Sequence, residues 1–313
     1  MKKSITKFVV AVGLFAAGLL GISHAEEVSA LDAYIRVSPT SFNYDLKPGE
    51  TVSGKFEIKN LSEHELNYDL KAAPYFMETD DTGKVNYRYD LENDYTRIKD
   101  WVTFDKTSNT LDANSSADVN FTISVPMDVP SGGQYVALLA TTSDKQSDSS
   151  ANGNNSANIG EVMQIGPIVY AKIAGDTRET GEILKNETNG FLFNPPITVS
   201  ATVKNTGNVH TKASFIMRVF PFFGGESIYN NEEDPATVVV LPGATRYYNL
   251  SWDNAPSIGI YKVESEVKIF NEVSKIERTI IICPMWVLIL IIVFILAVIF
   301  WIVSRVRARK AES

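Results

Sequence analysis

The chain has 313 residues, a formal net charge of −8, three histidines and one cysteine. Between its lysine-rich start and its basic end it carries a charge of about −14, which argues against nucleic acid or an anionic surface as partner. A single cysteine excludes an intrachain disulfide, so burial and hydrogen bonding must hold the fold.

The start of the chain has the pattern of a secretory signal peptide. Lysines precede an apolar run from Phe8 to Leu20, and the small residues Ser23 and Ala25 then occupy the two positions that a signal peptidase reads. We expect residues 1–25 to be removed by a cut after Ala25. An uncleaved signal anchor is the alternative, which the small residues oppose.

Alternating apolar and polar residues, typical of half-buried strands, recur along the predicted exported part. Such runs are Val52–Ile58, Val119–Val125, Ile197–Val203 and Tyr248–Trp252. Turn residues such as Lys47-Pro48-Gly49 separate the runs, and outside the two ends only 91–99 could form a short helical turn. The predicted class is all-β, with two tandem immunoglobulin-like β-sandwiches followed by one C-terminal transmembrane α-helix.

The composition along the exported part predicts its division into domains. We expect a first sandwich over 34–174 and a second over 190–278, joined by a charged linker at 175–189. The segment 143–158 has almost no apolar residues, so we predict a disordered loop there, before a single strand from Val162 to Ile173.

The last apolar run is long enough to cross a membrane. No residue of 284–303 is charged, and a helix of this length reaches about 30 Å, the thickness of the hydrocarbon core. Trp286 and Trp301 lie near its ends, and the basic tail at 304–313 predicts a cytoplasmic C-terminus. The protein is therefore expected in the cell membrane as a single-pass protein with its N-terminal domains outside. Cys283 is interpreted as an apolar filler rather than a lipidation or disulfide site.

The residues that usually carry chemistry are sparse. His64 and His210 fall in different predicted domains beside turn residues, so both are interpreted as solvated turn residues. Carboxylates at Asp80 and Asp81 precede Gly83, yet they lack the order of a calcium loop, and calcium binding there stays an open alternative. We predict no catalytic residue, no cofactor and no metal site, and hence no enzyme.

The first predicted domain contains the motifs Glu78–Tyr87, Trp101–Phe104, Val125–Tyr135 and Pro167–Ile173. Together these motifs resemble the peptidoglycan-binding domain of the WxL-interacting proteins of Gram-positive bacteria. This resemblance implies a non-catalytic scaffold that contacts cell wall through its first domain and another surface protein through its second. Beyond residue 190 the motifs are those of a generic bacterial immunoglobulin-like module.

Three functions remain open from the residues themselves. The leading hypothesis is a membrane-anchored binding or scaffold protein whose partner is cell wall or a cell-surface protein. The alternatives are an enzyme of envelope carbohydrate, with carboxylates such as Asp80 or Asp128 in a groove, and a periplasmic-type chaperone. Gly132 and Gly133 admit a close backbone approach, which fits either sandwich geometry, the favoured interpretation, or a ligand-facing rim.

Overall fold

A computed structural model describes residues 34–79, 85–143 and 162–311. The predicted signal peptide at 1–25, Asp80, Asp81 and the loop predicted at 143–158, apart from its first residue, lie outside the described residues. The strands of the first sandwich are β1 (Ile35–Ser38), β2 (Ser41–Leu46), β3 (Thr51–Asn60), β4 (Leu66–Pro74), β5 (Phe76–Thr79), β6 (Val85–Arg88), β7 (Val102–Phe104), β8 (Ser108–Leu111), β9 (Ser116–Ser124), β10 (Gly132–Ser143), β11 (Val162–Ile165) and β12 (Ile168–Ile173).

Two sheets make up the body of the first sandwich. One has the strand order β1-β3-β9-β7, and the other has the order β2-β12-β10-β4-β8, with β11 also paired to β10. The strands β5 and β6 form a separate hairpin, and a 3-10 turn at Arg97–Trp101 precedes β7. The strand β10 is the centre of this core, because Tyr135, Val136, Ala137 and Leu138 are completely buried along it.

The second sandwich also consists of two sheets. Its strands are β13 (Gly181–Thr188), β14 (Phe191–Leu192), β15 (Ile197–Asn205), β16 (Thr211–Pro221), β17 (Tyr229–Asn230), β18 (Ala236–Val240), β19 (Thr245–Trp252), β20 (Gly259–Ile269) and β21 (Glu272–Ile282). The smaller sheet has the order β13-β15-β19, and the larger sheet has the order β14-β21-β20-β16-β17, with β18 on β16.

The chain ends in one long helix, α1 (Met285–Ala311). Its part from Met285 to Arg305 has a mean hydropathy of 3.4 and is not buried, so it is long and apolar enough to cross a membrane. The prediction of an all-β chain with a C-terminal apolar helix is confirmed. The helix continues through most of the segment 304–313 that was predicted as a tail, since that stretch contains no Gly or Pro to end it.

One apolar cluster is shared by the two sandwiches. It contains Tyr135 and Leu139 of β10 together with Phe215 of β16, Leu241 after β18 and Ile269 of β20. Burial of apolar surface is worth roughly 25 cal/mol for each Å² removed from water. The junction between the sandwiches is therefore held by the same force that holds each core.

Buried asparagines occupy matching places in the two sandwiches. Asn60 ends β3 and Asn205 ends β15, and both side chains are completely buried. The Asn205 amide donates to the carbonyls of Val209 (2.8 Å) and Val240 (2.9 Å), and its oxygen accepts from the Gly207 amide (2.9 Å). These bonds close the turn after β15 by satisfying polar groups that burial would otherwise leave unpaired.

The structure corrects two predictions about strands. The charged segment 175–189, predicted as a linker, contains β13, which pairs with β15 at the edge of a sheet. Its charged side chains lie on the exposed side of an edge strand, where polar residues are common. For this reason the sequence did not indicate a strand in this segment. The strand predicted from Val162 to Ile173 is broken at Gly166 and Pro167, because proline lacks the amide proton that a ladder needs.

We expect Asn205→Ala to lower the free energy of unfolding by about 2–4 kcal/mol, because it leaves buried carbonyl and amide groups without partners. Urea denaturation of the full chain in detergent, followed by Trp fluorescence, measures this change. The control is Asn249→Ala, an exposed residue whose oxygen accepts one hydrogen bond from Ser200, and this should stay within about 0.5 kcal/mol of wild type. Equal effects of the two changes would contradict a structural role for Asn205.

Candidate functional site

Exposed tyrosines cluster on the β5–β6 hairpin of the first sandwich. Tyr87 lies in β6 and Tyr89 directly follows it, and each side chain is 45% exposed. Both rings pack on Tyr75, which is buried, with centroid distances of 5.8 Å for Tyr87 and 6.0 Å for Tyr89. We call Tyr75, Tyr87 and Tyr89 the tyrosine surface. It exposes two aromatic rings to solvent on a buried aromatic base.

Arg88 holds the hairpin between the two exposed tyrosines. Its guanidinium donates two hydrogen bonds to the Asp90 carboxylate and one to Glu78, each of 2.8 Å. This bidentate contact lowers the pKa of Asp90, so the carboxylate remains ionised. The same bonds raise the pKa of Arg88. Arg88 thereby joins β5, β6 and the residues that follow, and it fixes the backbone that carries the tyrosine surface.

A second group of aromatic side chains extends from the tyrosine surface to the junction between the sandwiches. Tyr75 makes an edge contact with Tyr170 (6.0 Å between centroids), and Tyr170 lies 5.2 Å from the ring of His210. Tyr135 packs against both Tyr170 and His210. Burial is the main cause that raises the pKa of Tyr75, Tyr135 and Tyr170, so these hydroxyls stay protonated.

His210 lies in this junction and not in a solvated turn as predicted. Its Nδ1 atom is buried without a hydrogen-bond partner, and desolvation lowers its pKa to about 4. Lys172 and Lys212 lower it further, while Asp45 opposes them. The imidazole is therefore neutral at physiological pH. The turn pattern around residue 210 gave no sign of burial, because the covering residues belong to the other sandwich.

A groove of about 420 Å³ opens beside His210 at the junction. Asn43 of β2, Ile168 and Tyr170 of β12, and His210 and Lys212 of the second sandwich are among the residues that line it. Its walls combine an aromatic ring with amide, hydroxyl and ammonium groups. Such a lining suits a polar ligand with one apolar face.

The hairpin that carries the tyrosine surface also contacts the second sandwich. The Thr245 amide donates to the Thr79 hydroxyl (3.1 Å), and the Arg246 guanidinium lies 3.5 Å from the Met77 sulfur. Arg246 also donates to the Val239 carbonyl (3.1 Å). The position of the tyrosine surface thus depends on both sandwiches.

At Gly132 and Gly133 the backbone of the first sandwich approaches the second sandwich closely. The Gly133 amide donates to the Asn208 carbonyl (2.7 Å), and a Cβ atom on Gly132 would lie 2.8 Å from the same oxygen. Gly132 also has φ +119°, which side chains rarely adopt. The close backbone approach that these two glycines admit is therefore an approach to the second sandwich.

Three other residues to which the sequence pointed lie apart from this site. His64 is exposed in the turn after β3, Asp128 is exposed before β10, and Cys283 is half-buried between β21 and α1. Glu78 is paired with Arg88, but its neighbours Asp80 and Asp81 lie outside the described residues. Within 34–79, 85–143 and 162–311, no group of three or more His, Cys, Asp or Glu side chains could hold a metal ion.

Sequence reasoning did not single out the tyrosine surface. The signal that could have found it is the spacing of Tyr75, Tyr87 and Tyr89, which a hairpin brings together. The register pairs Met77 with Tyr87, and this pairing places the exposed ring above a buried neighbour. Register cannot be read from a turn whose length is unknown.

Most of the first sandwich matches the model of a known family. Residues 32–141 match the family described as WxL Interacting Protein, peptidoglycan binding domain. The resemblance of the first domain to this family is therefore confirmed. The tyrosine surface and the Arg88 contacts lie inside the matched residues. No curated protein matches the chain.

Several solved structures are similar to the chain at low identity and low TM-score. The Pseudomonas aeruginosa CupB2 chaperone is 11% identical, with 78% of this chain and 99% of that chain covered and a TM-score of 0.33. A chain of the CsuC–CsuE chaperone–tip adhesion subunit complex of Acinetobacter baumannii is 12% identical, with 78% and 97% covered and a TM-score of 0.36. The PapD-like domain 7 of human CEP192 is 14% identical, with 45% and 85% covered and a TM-score of 0.28.

Desolvation of the neutral His210 ring predicts that acid weakens the fold. The unfolded chain takes up a proton near pH 6.5, whereas the folded chain does so only near pH 4. Between these values the unfolded state binds more protons, so the free energy of unfolding falls as the pH falls. From about pH 7 to about pH 5, wild type should lose about 2 kcal/mol more than His210→Gln. Urea denaturation at both pH values measures this difference, and equal losses would contradict the burial of His210.

Proposed function

We propose that this protein is a non-catalytic binding protein of the bacterial cell surface that contacts peptidoglycan through the tyrosine surface of its first sandwich. The observation that carries the proposal is the pair Tyr87 and Tyr89, exposed on a rigid base within the residues that match a peptidoglycan-binding family. Aromatic rings with one apolar face and one polar tip are common binding residues at wet interfaces.

The neighbouring polar groups complement a glycan strand with its peptide stems. A sugar ring presents an apolar C–H face to an aromatic ring and hydroxyl groups at its edge. Asp90 and Glu78 accept hydrogen bonds, and both stand beside Tyr87 and Tyr89 because Arg88 holds them there. The groove at His210 lies along the same aromatic series, so a long polymer could contact both places.

Binding without catalysis is supported by the state of these carboxylates. A glycosidase needs one carboxyl group whose raised pKa keeps it protonated as a general acid. Asp90 has a lowered pKa, and its charge is paired with Arg88. Asp128, which the enzyme hypothesis invoked, is exposed in the segment before β10.

The proposed topology places both sandwiches outside the cell. Residues 1–25 have the pattern of a signal peptide, and α1 is long and apolar enough to anchor the chain in the membrane. The basic residues at its end, Arg305 among them, favour the cytoplasmic side. In this arrangement the second sandwich is the part that remains near the membrane, where another surface protein could bind it.

Purified peptidoglycan tests the proposal directly. The full chain in detergent should sediment with the insoluble polymer, and the double change Tyr87→Ala with Tyr89→Ala should weaken this binding by roughly tenfold or more. The control is Tyr247→Ala, which removes a tyrosine of similar exposure from the second sandwich and should leave binding unchanged. Equal retention of all three proteins, or release of soluble fragments by wild type, would contradict the proposal.

A further inference from the structure

An apolar row crosses the outer face of the larger sheet of the second sandwich. Phe191 pairs with Ile281, Ile281 pairs with Ile260, and the Phe222 amide donates to the Ile260 carbonyl (3.2 Å). Residues paired across strands point to the same face, so the four side chains stand side by side. Each is 41–50% exposed. We call Phe191, Ile281, Ile260 and Phe222 the apolar row.

Further apolar side chains enlarge this surface at the same end of the sandwich. Phe193 contacts Phe191 with a centroid distance of 5.2 Å, and Phe223 contacts Phe222 at 5.3 Å. Phe223 is 96% exposed. It lies before a turn in which Gly224 has φ +87°, and this turn holds the ring away from the core.

The exposure of the row does not result from a poorly packed sandwich. The alternate residues Tyr261 and Ile282 point inward and are buried in the core. On the outer face, the positions farther along the same strands carry charges instead. Lys262, Glu264 and Glu277 form ion pairs there. Outward apolar residues on β20 and β21 are therefore concentrated where α1 begins.

Almost no chain separates the apolar row from α1. The Cys283 amide still donates to the Leu192 carbonyl (2.9 Å), and the Val287 amide already donates to the Pro284 carbonyl (2.9 Å). From Ile281 to Pro284 an extended chain covers about 10 Å at most. When α1 spans a bilayer, the row must lie close to its surface.

We propose that the apolar row and Phe223 insert into the lipid interface from which α1 emerges, so that the second sandwich docks on the bilayer. This inference rests on the proposed anchoring by α1. Interfacial apolar groups penetrate roughly 5–10 Å into a bilayer. Successive outward residues of a strand are about 7 Å apart, so one row of side chains fits within this depth. Because the exported part is acidic, apolar burial and not attraction to anionic lipid holds the contact.

A depth measurement on the full chain tests the docking. With Cys283→Ser as background, Phe223→Cys is labelled with an environment-sensitive fluorophore, and the protein is placed at one copy per phosphatidylcholine nanodisc. Nitroxide lipids should quench this label by roughly half or more. The matched control is Val273→Cys, an exposed apolar site at the end of the β20–β21 pair that is farthest from α1. Nitroxide lipids should leave a label at this site unquenched.

A label at Leu296→Cys inside α1 separates failure of anchoring from failure of docking. Quenching at residue 296 without quenching at 223 would overturn the docking and leave the anchoring intact. Absence of quenching at 296 would overturn both. Quenching at 223 that requires two copies per disc would assign the row to a second protein chain and overturn the docking.

Substitutions in the apolar row test whether the row is the cause of the docking. A double substitution, Phe191→Ser with Phe222→Ser, removes two rings of the row. It should reduce quenching of the label at residue 223 to the level seen at residue 273. Replacing phosphatidylcholine with anionic phosphatidylglycerol should not increase quenching. A clear increase, or full quenching in the serine variant, would contradict docking by the apolar row.

Discussion

The apolar junction between the two sandwiches is the constraint on which the other features depend. Tyr135 is buried there, and Gly133 approaches Asn208 closely enough for a hydrogen bond of 2.7 Å. A side chain on Gly132 would meet the same oxygen. Because one apolar cluster crosses this boundary, separating the sandwiches would expose core surface to water. The junction therefore fixes the hairpin that carries the tyrosine surface relative to the second sandwich.

This constraint connects the two proposed contacts of the protein. The tyrosine surface belongs to the first sandwich, whereas the apolar row lies on the second, beside α1. If the second sandwich rests on the bilayer, the rigid junction holds the tyrosine surface in one orientation above it. Binding to a large, immobile polymer benefits from such a fixed orientation, because less conformational freedom is lost on contact.

The periodicity of the sequence predicted the strands and the helix that depend on neighbouring residues along the chain. The alternation in Val119–Val125 and Ile197–Val203 marked strands, and the uncharged run at 284–303 marked the helix. The division into two domains stays a prediction, although the segment predicted as their linker contains β13. What the sequence could not show depends on residues far apart. The His210 ring packs against Tyr135 of the other sandwich, and Ile260 joins Ile281 and Phe222 in a row only through strand register.

The most direct test of the central claim is the distance between the two sandwiches in solution. Spin labels at Met127→Cys and Val273→Cys, both exposed sites, report it by pulsed electron spin resonance in the Cys283→Ser background. A shared core predicts one narrow distance population that does not change when peptidoglycan is added. A broad or multiple distribution would contradict it, because the sandwiches would then move independently.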